Sequence, residues 1–450
     1  MAENPVNEAF ENVPSEKVEL NKKKKRGKLK NTNPIIRAVE FLGQSYDIRL
    51  NEDTKQIEFR AKVKKGEKEK EYDIIDDTMY RYLRIELEMN GICLTDDKFR
   101  NVIYSGYFFD KYAPFKEYIY NLPKWDGKTD HIKRWCQQVQ LIDEEKHRNY
   151  FIEGFKKWFV ALVVSLIVDK PHRYYINQTC LIFTGKQGRF KSTFLDNLLP
   201  EQWRLRYYMA GIYDFHKEEH QKYLGQKVII NLEELAAFNR GDIEAIKTRI
   251  TQPVVSLRLK WGKEDTFFKR RASFVGTTND KEFLMDISGT RRFFIMPVDR
   301  ISIDDTLKVE EIYSQAFAMF KKGFKYWFDD EDITQIEAMN EDFKMTSLEE
   351  SLVDYYYRKP DKEDYEISNR VQYVSATDAT NRLCKKFERL NANNSVVRNI
   401  GKAFSSKGYT QTHKKVNRIS VKLWHVIEVD NVVIERNTDD TSNGHSTELF

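Results

Sequence analysis

The 450-residue chain is short of several features that would place a protein quickly. Its four cysteines, Cys93, Cys136, Cys180 and Cys384, lie far apart, with no Cys-x-x-Cys pair and no histidine at metal-ligand spacing. That excludes a zinc-ribbon or disulfide scaffold and leaves the thiols as reduced core residues. Long apolar runs are missing too. The longest, residues 158–168, ends at Asp169-Lys170-Pro171, is too short to span a bilayer and suits a buried helix. The first residues hold neither a basic nor an apolar signal region, so a cytoplasmic location with no membrane partner is expected. No internal repeat is visible. Nor does one sign of charge dominate: 75 Lys and Arg against 70 Asp and Glu leave +5, so any anionic partner must be chosen by where the cations cluster. They cluster over residues 22–30 and 247–271. Such clusters suit a polyanion, although the first fits a solvated arm equally well.

What the chain does contain is a run of short apolar segments separated by helical periodicity. Residues 1–32 lack such periodicity and are expected to form a disordered basic arm. Residues 33–140 alternate short helical and strand-like stretches, including a hairpin around Asn51, and predict a small mixed α+β domain. Residues 141–350 predict an α/β domain with a helical lid: a helix over 144–168, then apolar strands at 180–183, 228–232, 273–276 and 292–298. Residues 351–370 read as a linker around Pro360. Two helices and a β-ribbon over 371–436 resemble a winged-helix module, and 437–450 read as a disordered tail.

The chemistry concentrates after the first of those strands. Thr179-Cys-Leu-Ile-Phe-Thr-Gly-Lys-Gln-Gly-Arg-Phe-Lys-Ser-Thr193 reads as a buried strand, a glycine turn and a helix start, which is a phosphate-binding loop. Backbone N–H groups over Gly185, Lys186, Gln187, Gly188 and Arg189 suit a β-phosphate, Lys191 suits β/γ charge, and the Ser192 hydroxyl suits Mg²⁺, with Thr193 following. Phe190 stands where the usual pattern has a second glycine, and an ordinary strand-to-helix turn is the alternative. Val228-Ile-Ile-Asn-Leu-Glu-Glu234 ends a strand in two carboxylates, Glu233 and Glu234, suited to orienting a metal and polarising water. Ser273-Phe-Val-Gly-Thr-Thr-Asn279 puts an amide at a third strand tip. Gly289-Thr-Arg-Arg-Phe-Phe294 puts Arg291 and Arg292 before the last strand, where a guanidinium could serve a neighbouring subunit's phosphate or simply face solvent. Between the acids and Asn279, Lys247, Arg258, Lys260, Trp261 and Lys263 alternate with apolar residues in a stretch that reads as a hairpin with a cationic, aromatic tip. Such a tip can grip single-stranded DNA, or can merely protect a sheet edge.

In this order the motifs resemble those of the superfamily 3 helicases of viruses and mobile elements, and more closely the virulence-associated protein E family of phages, genomic islands and plasmids. The likeness runs over about residues 33–300. It is carried by Gln187-Gly188 with Lys191-Ser192-Thr193, Glu234-Leu235, Ile246-Lys247, Trp261-Gly262, Gly276-Thr-Thr-Asn279, Gly289-Thr-Arg-Arg-Phe293 and Leu122-Pro-Lys-Trp-Asp-Gly127. The resemblance implies a P-loop ATPase domain of AAA+ or superfamily 3 type. ATP and Mg²⁺ would sit at Lys191 and Ser192, Glu233 and Glu234 would be the metal and catalytic acids, and Asn279 the sensor. Arg291 or Arg292 would be a finger acting across a ring, expected to be a hexamer, and Lys260 and Lys263 would hold the strand. Asn231 departs from the pattern, standing where many members have a further Glu. The expected function is an ATP-driven helicase or replication initiator acting on single-stranded and duplex DNA, with other replication proteins as partners. A nucleotide-gated DNA-binding switch and a non-hydrolysing protein that interferes with replication are the alternatives.

Overall fold

A computed structural model describes residues 33–63, 71–211, 214, 217–258, 265–284, 289–387, 390–416 and 419–429. The basic arm, the C-terminal tail and the hairpin tip at 259–264 lie outside the described residues. The chain divides into two units, one up to Lys344 and one from Met345.

The first unit is built on a six-stranded sheet. Its strands are β5 (Val139–Leu141), β6 (Cys180–Thr184), β7 (Tyr208–Gly211), β8 (Ile229–Leu232), β11 (Ser273–Thr278) and β12 (Phe293–Ile301), in the order β5-β12-β6-β11-β8-β7. All neighbours are parallel except β5, which pairs antiparallel with β12. A parallel sheet is covered on both faces, so its strands read as continuous apolar runs. Along β6, Leu181 and Phe183 enter one core and Cys180 and Ile182 the other; Phe294 and Met296 of β12 follow the first pair, Phe293 and Ile295 the second. The first core is filled by the helix Glu144–Ile167 and, later in the chain, Val309–Lys321. The former starts on Asp143, whose side chain accepts from the Lys146 N–H, and is buried along most of its length from Phe151 onward. On the other face lies the helix Arg240–Thr251, opened by a capping box between Asn239 and Asp242.

A separate antiparallel pair, β9 (Val254–Arg258) and β10 (Asp265–Lys269), forms the base of the expected hairpin. The N-terminal residues form a four-stranded sheet, β3-β2-β1-β4, from β1 (Tyr46–Asn51), β2 (Ile57–Ala61), β3 (Asp73–Ile74) and β4 (Asp110–Tyr112), with its own apolar core. It was expected as a separate domain but belongs to the same unit, because buried polar groups tie it in. Glu58, fully buried, receives Arg49, Asn51 and Tyr112 from its own sheet and Arg206, 2.8 Å away, from the helix before β7. Asp53 pairs with Arg271 at 2.7 Å.

The second unit also differs from expectation. The stretch read as a linker is ordered structure: the helix Leu348–Tyr356, β13 (Tyr357–Arg358) and the short helix Lys362–Glu366. Leu352, Val353 and Tyr357 are buried in the unit's core, and Arg358 and Arg370 both pair with Asp364. Further along are β14 (Gln372–Val374), the helices Ala376–Lys386 and Asn394–Ser406, and the ribbon of β15 (Gln411–Val416) and β16 (Ile419–Glu428). β16 is the hub, pairing with β13, β14 and β15.

Candidate functional site

Three adjacent strands deliver the candidate residues to one edge of the sheet. In register, Thr184 of β6 lies beside Thr278 of β11, and Gly276 of β11 beside Leu232 of β8. The turn at 185–190, Asn279 and the Glu233-Glu234 pair therefore all leave the carboxyl ends of neighbouring strands, spanning about 10 Å across the sheet. In open α/β sheets ligands bind at that edge.

The turn has the backbone that its glycines require. Gly185 has φ 145°, and a Cβ there would sit 2.2 Å from the Val298 carbonyl oxygen; Gly188 has φ 76°. Phe190, the residue in place of a second glycine, takes the left-handed conformation itself (φ 60°, ψ 23°) directly before the helix Lys191–Asp196. The conformation is thus kept where the sequence has lost the residue that favours it. The ring is left 55% exposed.

Lys191 folds back into this turn. It is 7% exposed, and its Nζ donates to the carbonyls of Gly185 (2.5 Å) and Lys186 (2.9 Å) and to Asn279 Oδ1 (3.1 Å). Burial and then the neighbouring Arg189 lower its pKa. All three ammonium protons are engaged by neutral acceptors, an arrangement that an anion's oxygens can replace with a gain in charge pairing. Ser192, half-buried, is the next residue of the helix, with Thr193 exposed after it.

The two acids occupy different settings. Glu233 is half-buried, and burial, then Asp196, then Glu234 push its carboxyl above the usual range. Glu234 is exposed and left-handed (φ 52°). Asn231 is fully buried, its Nδ2 3.4 Å from Glu233 Oε1, and its Oδ1 has no partner among the described residues. Tyr208 and Asp196 complete this group: the Tyr208 phenol is pushed up by burial and then by Asp196, and burial raises Asp196. Sequence reading missed Asp196, although its position four residues after Ser192, on the same helix face, was a readable signal.

Arg291 and Arg292 lie elsewhere. Phe293 is level with Cys180 and Pro297 with Thr184, so the two arginines precede the amino end of the sheet, about 20 Å along the strand direction from the turn. Arg291 is exposed; Arg292 is half-buried, its Nε without a partner among the described residues, and burial and then Arg291 lower its pKa.

The cationic cluster at 247–271 needs correcting. Lys247, expected on DNA, is 5% exposed and paired with Glu244 at 2.8 Å. Lys269, Arg270 and Arg271 are engaged inside the fold: Lys269 on the carbonyls of Ser165 and Val168, Arg270 on those of Asn177, Ile250 and Gln252, and Arg271 on the Leu166 carbonyl and the carboxylates of Asp53 and Asp169. Most of these carbonyls end helices, where acceptors lack intrahelical partners. Arg258 lies on β9, and Lys260, Trp261 and Lys263 lie outside the described residues.

Comparison with known families fits this arrangement. The model of the virulence-associated protein E-like domain matches residues 119–345, just over half of the chain. The chain belongs to this family. All of the site residues above, from the turn to the arginine pair, fall inside the virulence-associated protein E-like match, whereas the N-terminal sheet and the second unit fall outside it. No curated protein matches the sequence. Among solved structures, the chain is similar to the apo C-terminal region of NrS-1 at 14% identity and a TM-score of 0.43, over 88% of this chain and 100% of that one. The A form of the same region gives 14% identity and a TM-score of 0.44, over 87% and 99%. Likeness this loose leaves the fold resting on the strand order itself. No helix among the described residues is long and apolar enough to cross a membrane.

Proposed function

We propose that this protein is an ATP-hydrolysing DNA motor, a helicase or replication initiator of a mobile element, working in the cytoplasm as a ring, by analogy hexameric. One observation carries the reading: the Lys191 ammonium sits in a glycine turn at the end of β6 and bonds Asn279 on the neighbouring strand tip, with Glu233 and Glu234 one strand further on. The donors fit Mg²⁺ and ATP. Lys191 would exchange its carbonyl and amide acceptors for phosphate oxygens, and Ser192 and Glu233 would hold the metal, whose charge offsets that of the β- and γ-oxygens. Asn279 would orient water, and the glutamate of the pair that does not hold the metal would accept its proton. Arg291 and Arg292, at the far edge of their own sheet, suit the next subunit's phosphates in a head-to-tail ring. The β9–β10 hairpin with Lys260, Trp261 and Lys263 would grip single-stranded DNA. The winged-helix-like residues 371–436 and the 22–30 arm would contact duplex DNA, and other replication proteins are further partners.

The test is calorimetry and turnover together. Lys191→Ala should abolish nucleotide binding, Glu234→Gln and Glu233→Gln should keep binding and slow hydrolysis, and single-stranded DNA should stimulate the parent. Unchanged binding by Lys191→Ala would remove the phosphate-loop assignment. A second reading, a nucleotide-gated switch without unwinding, is favoured by Phe190, which puts a bulky side chain where the usual pattern has the glycine that lets backbone approach phosphate. Binding without DNA-stimulated turnover would select it.

A further inference from the structure

A cavity of about 230 Å³ opens beside the arginine pair at the amino end of the sheet, lined by Tyr174, Gln178, Arg291, Arg292, Trp327 and Phe328 among others. It is smaller than the roughly 300–1,000 Å³ of a small-molecule site, so its size suits a side chain rather than a nucleotide. Its chemistry is aromatic and cationic, the combination that receives an aromatic ring edge-on, offset-stacked or under a guanidinium. Tyr174 is 51% exposed at its mouth, and the Tyr326 hydroxyl holds the Tyr174 carbonyl at 2.8 Å.

At the opposite edge of the same sheet stands a group of matching shape. Phe190 is 55% exposed, and its left-handed backbone puts the ring off the end of the phosphate turn, one residue before Lys191. Nothing in the local fold asks for phenylalanine there: a glycine would take the same backbone without strain and without exposing a ring.

We propose that Phe190 of one copy docks into the Tyr174–Trp327–Phe328 cavity of the next, beside Arg291 and Arg292, as the apolar anchor of a head-to-tail interface. This rests on the ring reading above. If Arg291 or Arg292 reaches a phosphate held at a neighbour's Lys191, the cavity bordering those arginines necessarily arrives next to the neighbour's residue 190. A heterologous contact of this kind uses two different patches on each copy, as an exposed ring at one sheet edge and an open cavity at the other supply. The ring would also shut solvent from the phosphates as the interface closes, which gives the departure from glycine a purpose.

Cysteine cross-linking tests the contact. Cys93, expected in the core, is exposed and Cys384 is half-buried, so in the full chain with Cys93→Ser and Cys384→Ser, Phe190→Cys with Tyr174→Cys should form disulfide-linked ladders under mild oxidation with ATP and Mg²⁺. Mixed single variants should stop at dimers, and Leu205→Cys with Tyr174→Cys, Leu205 being 97% exposed, should give only background. Independently, Phe190→Asn, which tolerates the left-handed backbone, should raise the protein concentration for half-maximal turnover on the order of tenfold. Mixing Lys191→Ala subunits with subunits carrying both Arg291→Ala and Arg292→Ala separates the two levels. Restored turnover with background cross-linking, or with an unmoved midpoint for Phe190→Asn, would overturn the Phe190 contact and spare the ring; failure to restore turnover would overturn both.

Discussion

Replacing Phe190 by glycine and by alanine gives the sharpest test of the backbone of the 185–190 turn. The left-handed conformation costs a residue with a Cβ roughly 1–2 kcal/mol, and glycine escapes that cost while adding about 0.5–1 kcal/mol of chain entropy on unfolding. The half-exposed ring contributes on the order of 1 kcal/mol of burial that either substitution removes. Parent and glycine variant therefore come out nearly level, and comparing those two decides nothing. Glycine against alanine isolates the backbone, because both lose the ring: the glycine variant should be more stable by about 1 kcal/mol at this turn. The reporter is the Phe194 amide, which donates to the Phe190 carbonyl at 3.0 Å. Its hydrogen exchange should run about fivefold faster in Phe190→Ala than in Phe190→Gly, both corrected for intrinsic rates. Equal exchange, or slower exchange in the alanine variant, would show that residue 190 is not left-handed, so that the turn does not keep the backbone a glycine there would favour.

Gly154→Ala should destabilise the first unit by about 1–3 kcal/mol in chemical denaturation, since a Cβ there would lie 2.2 Å from the buried Phe294 ring; a neutral result would mean β12 yields easily. Asp53→Ala should cost about 3 kcal/mol by leaving Arg271 buried with only Asp169 for a carboxylate, and the double variant with Arg271→Ala should cost less than the sum of the singles. In the second unit, burial lowers the His425 pKa below its ordinary 6.5, with Tyr365 and Thr412 hydroxyls at its two nitrogens and the Tyr373 ring against it. Protonation thus favours the unfolded chain: the contribution is whole above 6.5 and fades as pH falls through the folded value, so hydrogen exchange of β16 should lose protection below pH 6.5, and His425→Gln should flatten that dependence.

The inner strands of the central sheet were readable because they are buried on both faces, which makes apolar runs such as Cys-Leu-Ile-Phe at 180–183 or Phe-Phe-Ile-Met at 293–296, whereas the edge strands β5 and β7 carry no such run. The order of the site motifs was readable for a related reason: polar residues immediately after such runs have nowhere to go except the strand ends. The N-terminal sheet's attachment was not readable. It depends on Glu58 meeting Arg206 and Asp53 meeting Arg271 across long sequence separations, and charge pairs of that kind leave no local pattern. The 351–370 stretch misled through its charge and Pro360. The signal against a linker was the Asp361-x-x-Asp364 capping box, which opens a helix whose second carboxylate is then held by two arginines.

The cations at 247–271 show why a charge cluster in a sequence overstates a binding surface. A run such as Lys269-Arg270-Arg271 looks like a polyanion site because lysine and arginine are seldom buried. Here it starts on the last residue of β10, where the chain passes the end of the Glu144–Ile167 helix and the end of the Arg240–Thr251 helix, and both ends present carbonyls without intrahelical partners. Guanidinium groups, with five donors each, satisfy several such carbonyls at once, and Arg270 does so for Ile250 and Gln252 at the end of one helix and for Asn177 from another segment. Together with Lys247, held by Glu244, these residues are committed to the fold. The electrostatic grip proposed for a DNA strand therefore narrows to the hairpin beyond β9, so that few phosphates would be neutralised per subunit. Binding by so few contacts gains strength chiefly by repetition around a ring, where each added subunit raises the effective concentration of the next.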